Sequence, residues 1–206
     1  GGGDNNIRER DRTLIGIKPN ELPGLRKVRY LTTILDASHT REGFTCGIQA
    51  LDQYLHKQAR QDMANKMTVC FIHSDNKKDI KAFYTLSNGS IPRELLPAQL
   101  LKKLPKYKSL PVTLLGRLAV GSGYQGQNLG QMMLLDALKR SLDASEAIGS
   151  VAVVVDPINE TAVRFYTKFH FINLMESHKM FLSMKTISRL FEVYDLPNTS
   201  PESGSK

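Results

Sequence analysis

The pattern of apolar and polar positions divides the chain into a strand–helix–hairpin first half and a strand–helix–strand second half. Residues 28–35 (Val28-Arg-Tyr-Leu-Thr-Thr-Ile-Leu35) have the β-branched content of a first strand. From Gly47 the period lengthens. Ile48, Leu51, Leu55, Gln58 and Ala59 recur at spacings of three and four with Asp52, Lys57 and Arg60 opposite, which predicts an amphipathic helix. Residues 67–73 and 80–86 read as two strands around a polar turn, a β-hairpin with a longer loop. Residues 93–104 read as one or two short helices whose length Pro97 and Pro105 limit. A helix with a broad apolar face (Met132, Met133, Leu135, Leu138, Leu142) is predicted over 129–144. The continuous β-branched run at 150–155 predicts a buried, parallel-type strand. A helix over 161–168, a strand or pair of strands within 169–182 and a terminal helix over 186–192 complete the order. The fold class is therefore α/β, with a mixed central sheet: an antiparallel N-terminal half and a βαβ crossover in the second half.

Composition sets the boundaries. A chain of 206 residues with 41% apolar content can bury one substantial core. Residues 1–27 form a polar, proline-punctuated extension that looks foreign to the domain, residues 28–195 the domain, and residues 196–206 a tail expected to be disordered. No apolar stretch reaches membrane-spanning length and the N-terminus has no signal-like apolar core, so a soluble cytoplasmic protein is expected. The two cysteines, Cys46 and Cys70, are too few for a disulfide framework, and the five scattered histidines have no ligand spacing. No metal site is expected. The formal charge of +8 suits either a polyanionic partner or a well-solvated surface.

Chemistry concentrates where the apolar run 114–120 meets Gly121-Ser-Gly-Tyr-Gln-Gly-Gln-Asn-Leu-Gly130 and the next helix begins. A strand, a glycine-rich turn and a helix N-terminus leave backbone N–H groups free to hold a phosphate. A nucleoside-triphosphate P-loop needs Gly-Lys-Ser/Thr at the end of the turn, and Asn128-Leu-Gly130 lacks both lysine and hydroxyl. The dinucleotide pattern G-x-G-x-x-G is matched literally by Gly121, Gly123 and Gly126. However, the next candidate acid, Asp156, lies about thirty residues on rather than about twenty. Too little chain follows for a second mononucleotide unit.

Gln125-Gly-Gln-Asn-Leu-Gly130 resembles instead the acetyl-CoA signature Arg/Gln-x-x-Gly-x-Gly/Ala of the GNAT superfamily of N-acetyltransferases, with Asn128 where the first glycine usually stands. Residues 116–120 resemble that family's fourth strand, and Asn159, Ala162, Phe165, Tyr166 and Phe171 match its N-x-x-A-x-x-F-Y-x-x-x-G-F segment, with His170 replacing the glycine. The resemblance implies a cofactor site for acetyl-CoA. The main chain of Leu118, Ala119 and Val120 would pair with pantetheine. Gln125, Gly126, Gln127, Asn128, Leu129 and Gly130 would wrap the pyrophosphate, and Asn159 and Tyr166 would lie beside the cofactor. Tyr166 is the implied catalytic acid, protonating the departing thiolate.

Residues 42–55, 83–87 and 116–120 are similar to the acetyltransferase toxins of bacterial toxin–antitoxin pairs, over about residues 30–184. That likeness implies transfer of acetyl to the α-amino group of aminoacyl-tRNA, which blocks translation, a ribbon–helix–helix antitoxin as partner, and a homodimer. Lys102, Lys103 and Lys106 fall in a loop where these toxins are basic. Arg164 and Lys168 flank Tyr166 at a helical spacing of four, and all five are candidate nucleic-acid contacts. No carboxylate stands out as a general base, and Cys46 reads as part of the turn before a helix. Two other readings fit the same residues: an acetyltransferase for a small amine or protein lysine, and a non-catalytic RNA- or partner-binding module.

Overall fold

The computed structural model of the chain describes residues 30–75, 78–102, 104 and 106–195. The expected extension, the expected tail and Lys103 lie outside the described residues. Seven strands form one sheet: β1 (Thr33–Ile34), β2 (Val69–His73), β3 (Ala82–Pro92), β4 (Ser109–Val120), β5 (Ala152–Val155), β6 (Ile172–Asn173) and β7 (Met180–Ser183), in the order β1-β2-β3-β4-β5-β7-β6. Neighbours are antiparallel except β4 and β5, which run parallel. Six α-helices are described. α1 (Gln49–Gln53) and α2 (Ala59–Ala64) are joined by a π-helical turn, Tyr54–Gln58, and α3 (Ala98–Leu101) lies in the β3–β4 connection. α4 (Leu129–Ala147) is the β4–β5 crossover, and α5 (Glu160–Lys168) and α6 (Met184–Asp195) follow.

Both faces of the sheet are covered, which is why β5 reads as an unbroken apolar run. Val153 and Val155 join the core beneath α4, α5 and α6, with Met133, Leu134, Leu138, Phe169 and Ile187. Ala152 and Val154 join the opposite face, where Leu96 from the β3–β4 connection packs with Ile91, Leu110 and Phe181. Over the antiparallel half of that face, α1, the π turn and α2 bury Leu51, Tyr54, Leu55 and Ala59 against Ile72, Phe83 and Ala119.

The predicted elements stand in the predicted order, and three of the differences from expectation have a clear physical origin. Of the first strand, expected over 28–35, residues 28–29 lie outside the described residues, and within 30–35 it spans Thr33–Ile34 because the chain just before it is held by a helix side chain instead of a strand. Leu31 N–H donates to Asp136 Oδ1 of α4 at 2.5 Å, and the Thr32 hydroxyl donates to Oδ2 at 2.5 Å. β3 runs on past Leu86 through the polar stretch 87–90, because β4, itself extending back to Ser109, supplies a ladder along its whole length. The single predicted helix from Gly47 contains the π turn, which rotates its apolar face partway along.

Asp136 is 3% exposed and also accepts from the Tyr84 hydroxyl at 2.7 Å. Arg140, one turn on, has Nε 3.6 Å from Asp136 Oδ2 and 3.0 Å from the Tyr84 hydroxyl, while its Nη2 donates to the Thr32 carbonyl at 2.7 Å. The guanidinium lies between the rings of Tyr30 and Phe71, 3.6 and 4.3 Å from their centroids. A buried carboxylate is tolerated only when paired and hydrogen-bonded, and this one has both. The cluster latches the start of the domain onto α4.

β4 carries the feature that makes room for a site. Its register with β3 runs Leu86↔Leu115 and then Thr85↔Arg117, so Gly116 is an extra residue, a β-bulge. One extra residue exchanges the faces of everything beyond it. Leu115 belongs to the core beneath α4, and Arg117 two residues later would follow it in a regular strand. Instead Ala119 joins the core under α1 and α2 and Arg117 stacks on Tyr54, while Leu118 and Val120 pack toward α4. The parallel ladder to β5 ends at the same point, since only Thr113, Leu114 and Leu115 pair with Val153, Val154 and Val155.

Candidate active site

Beyond Leu115 the sheet is open along a seam, and a cleft of about 390 Å³ occupies it. One bank is the start of α1 (Cys46, Ile48, Leu51) and the other is the β5–α5 loop with α5 (Asp156–Asn159, Thr161, Ala162, Phe165, Tyr166). The floor is β4 from Leu115 to Leu118 with Val120, and the far end is closed by Gln125 and Gly130. Of the cofactor residues expected from the sequence, Leu118, Val120, Gln125, Gly130, Asn159 and Tyr166 line the cleft. Ala119 faces the core instead, and its main chain is turned toward Phe83 in the ladder with β3, so that the main chains of Leu118 and Val120 are the ones turned to the seam. Gly126, Gln127, Asn128 and Leu129 form the turn behind Gln125 and Gly130.

The turn has the backbone of an anion cradle. Gly126 and Asn128 both take positive φ, 75° and 61°, with Gln125 and Gln127 at their flanks. Such sign changes along a turn make successive N–H groups converge. Asn128 is the N-cap of α4 in left-handed conformation and its side chain makes no capping hydrogen bond, so the first N–H groups of a 19-residue helix are left to an external acceptor. α5 differs: its N-cap Asn159 accepts from Ala162 N–H at 2.8 Å and so serves the helix as well as the cleft. The side chain of Gln125 is structural too. Its Nε2 donates to the carbonyls of Cys46 and Val120, at 3.0 and 2.9 Å, and ties the α1 bank to the end of β4. The literal dinucleotide motif dissolves in this geometry. Gly121 has φ −55° and caps a 3₁₀ turn, Ser122–Tyr124; its missing Cβ lets the Lys81 carbonyl approach.

Asn128 gives a direct check on the turn. Asparagine tolerates the left-handed region better than most residues, so Asn128→Gly is expected to tighten acetyl-CoA binding only a few-fold. Asn128→Val places a β-branched side chain there, with a cost of about 1–2 kcal/mol and roughly tenfold weaker binding. Calorimetric titration of the two variants measures both; a turn that does not hold the ligand would leave them alike.

Tyr166 is 8% exposed and its ring rests between Phe165 and Phe171, with centroids 5.2 Å away on each side. Its helix ends in a Schellman motif: Phe171 N–H donates to the Tyr166 carbonyl and His170 N–H to that of Thr167. His170, with φ 63°, stands at the left-handed position where glycine is usual. Burial pushes the Tyr166 phenol well above its ordinary pKa. Among the described residues nothing hydrogen-bonds its hydroxyl.

One carboxylate, Asp156, is among the lining residues. It is 60% exposed and paired with Lys179 at 2.8 Å. Cys46, read from the sequence as part of a turn, lines the cleft, and burial pushes its thiol up to about 11. It is therefore a poor nucleophile near neutrality. Lys102, Lys106, Arg164 and Lys168 are exposed and none is among the lining residues. Arg117 lines the cleft and the sequence reading gave it no role; the available signal was a lone charge inside the apolar run 114–120.

Residues 98–171 match the Acetyltransferase (GNAT) family. A tRNA-acetylating toxin of Mycobacterium tuberculosis (strain ATCC 25618 / H37Rv) is 34% identical over 128 residues, 62% of this chain and 75% of that protein. The chain belongs to the GNAT acetyltransferase family. Solved structures of this family superpose on it. AtaT complexed with acetyl-methionyl-tRNAfMet has a TM-score of 0.73 at 30% identity, covering 79% of this chain and 99% of that one. A tyrosine-to-phenylalanine mutant of AtaT bound to the C-terminus of the antitoxin AtaR and acetyl-CoA has a TM-score of 0.66 at 27% identity, covering 78% and 96%. The mixed seven-stranded sheet is thus the GNAT fold, with α4 as its crossover helix.

Proposed function

We propose that this GNAT enzyme transfers acetyl from acetyl-CoA to the α-amino group of aminoacyl-tRNA, and so blocks translation as the toxin of a toxin–antitoxin pair. The observation that carries the reading is the seam, where one cleft joins an uncapped helix N-terminus, an unpaired strand edge and a buried phenol. Relatives that act on tRNA share this fold over nearly their whole length. Acetyl-CoA supplies an acetyl thioester to that cleft. The N–H groups of residues 125–130 would hold its pyrophosphate, and the β5-facing main chain of Leu118 and Val120, on either side of Ala119, its pantetheine, beside Asn159. Tyr166 keeps its proton through the neutral range and would hand it to the departing thiolate.

The amine must arrive neutral to attack. An α-amino group next to an ester is much less basic than a lysine side chain, and among the described residues the one carboxylate that lines the cleft, Asp156, is paired with Lys179. This favours an aminoacyl ester over a polyamine or protein lysine. The exposed Lys102, Lys106, Arg164 and Lys168, together with Lys103, would meet phosphates outside the cleft, positioning the tRNA without touching the reacting atoms. The partner is a ribbon–helix–helix antitoxin whose C-terminal tail covers the toxin, and the place of action is the cytoplasm. No helix among the described residues is long and apolar enough to cross a membrane.

Incubation with labelled acetyl-CoA should mark charged tRNA and leave uncharged tRNA, polyamines and lysine peptides unmarked. Label on polyamines or peptides with none on charged tRNA would replace this reading with that of a general amine acetyltransferase.

A further inference from the structure

The sheet face under α1 and α2 is covered twice, and the two covers leave a strip between them. α1, the π turn and α2 close over Ile72, Phe83 and Ala119, while the β3–β4 connection closes over Ile91, Leu110 and Val154. Alternation along β3 from Phe83 to Ile91 puts Ser87 on this face with its ladder partner Leu114 beside it, and both are half-buried. Past Leu114 come the exposed bulge residue Gly116 and the half-buried Arg117, which line the cleft. The strip therefore opens into the seam. Residues expected at the cofactor pack on the other face, where Leu118, Val120, Phe165 and Tyr166 join the core beneath α4. An acceptor that meets the thioester without displacing the cofactor comes from the α1 side.

Arg117 stands at that entrance. Its guanidinium carbon lies 3.5 Å from the centroid of the buried Tyr54 ring, which fixes the plane of the fork. It makes no hydrogen bond or ion pair with another described residue. The carboxylates around it are engaged elsewhere or stand apart. Asp52 accepts from Cys46 N–H at 2.8 Å and the Thr45 hydroxyl at 2.9 Å, Asp156 pairs with Lys179, and Asp62 of α2 makes no salt bridge with Arg117. The guanidinium charge opposes the upward push of burial on Tyr54 and Cys70 and leaves no mark on Tyr166, where burial alone acts. Arg117 is thus set back from the transferring acetyl, on the side of the arriving acceptor. Idle donors held in one plane suit the paired oxygens of a phosphate. The connection that forms the second cover adds the exposed Lys102, Lys106 and Lys108, and between residues 93 and 108 the one carboxylate is Glu94.

We propose that the strip receives the unpaired 3′ end of the charged tRNA and that Arg117 binds the phosphate linking its terminal nucleotide to the rest of the strand. The inference rests on the aminoacyl-tRNA reading and deepens it. That phosphate is one sugar away from the ester that carries the amine, so its partner belongs beside the reacting atoms and not among them. Phosphate contacts fix the register of a nucleic acid on a protein. Here the contact would set how far the aminoacyl end enters the seam.

The test compares charged tRNA carrying an ordinary terminal linkage with the same tRNA carrying a neutral methylphosphonate there. The wild type should lose about tenfold in kcat/KM on the neutral linkage, the scale of a charge-assisted hydrogen bond. Arg117→Gln should be about tenfold slower than the wild type on the ordinary tRNA and indifferent to the change of linkage. Arg117→Lys keeps the charge but not the planar fork. It should lose about threefold on the neutral linkage, and it carries the comparison if Arg117→Gln does not fold. A wild type indifferent to the linkage, or variants as sensitive to it as the wild type, would overturn the role of Arg117 and leave the aminoacyl-tRNA reading intact. A linkage-independent preference for aspartyl- or glutamyl-tRNA that vanishes in Arg117→Gln would likewise overturn it, giving the guanidinium to a side-chain carboxylate. A wild type inactive on every charged tRNA would overturn the aminoacyl-tRNA reading itself, and this inference with it.

Discussion

Tyr166→Phe is expected to bind acetyl-CoA as the wild type does and to transfer acetyl about 10²–10⁴-fold more slowly, the usual range for loss of a positioned acid. The separation of the two effects comes from the surroundings of the phenol. Its ring is held between Phe165 and Phe171 and phenylalanine fills the same space, so the cleft wall is preserved. No described residue hydrogen-bonds the hydroxyl, so its removal leaves no orphaned partner and changes stability by less than about 1 kcal/mol. What is lost is the proton that burial keeps on the oxygen. Single-turnover transfer to charged tRNA, beside a direct acetyl-CoA titration, measures both halves. Retained transfer would remove Tyr166 from the chemistry, and lost binding would make it a wall of the cleft.

The second large effect concerns stability and lies far from the cleft. Arg140→Met is expected to destabilise the fold by about 3 kcal/mol, because it leaves the Asp136 carboxylate buried without its cation. For a domain of this size that lowers the midpoint of thermal unfolding by roughly 6–12 °C. The double variant Asp136→Leu with Arg140→Met removes the stranded charge and should be more stable than the single one. Thermal unfolding of both distinguishes the explanations. If the double variant were the worse, the hydrogen bonds from Leu31, Thr32 and Tyr84 would outweigh the ion pair.

The order of elements was legible because period and composition report burial. The β-branched run 150–155 announces a strand covered on both faces, and the glycine turn before residue 129 announces a helix start. Tyr166 and the 125–130 turn were legible through resemblance, and Asn128 through its tolerance of left-handed backbone, which it adopts at φ 61°. Arg117 was not legible. A period-two reading of 114–120 puts it on the face of Leu115, and only the register with β3 shows that Gly116 is an extra residue. The latch was hidden for a related reason: Asp136 and Arg140 sit one turn apart, as on any solvated helix face, and their burial depends on Tyr30–Thr32 folding back from a distance in sequence of over a hundred residues. Strand lengths were understated where a polar stretch such as 87–90 is carried by its neighbour's ladder.

The early end of the β4–β5 ladder also bears on how the domain holds together. β1 to β4 are laced together, β5 to β7 likewise, and the two groups meet within the sheet over a short stretch, at Thr113, Leu114 and Leu115 and at the Val151 N–H, which donates to the Pro111 carbonyl. Cooperative opening units tend to follow such boundaries. Here the boundary is bridged on one face by α4 and the core beneath it, and on the other by the cluster that joins Ile91 and Leu110 to Val154 and Phe181. A ligand that bonds to the free edge of β4 and to the opposite bank would add rungs along the seam, so that the two half-sheets are tied more tightly while it is filled.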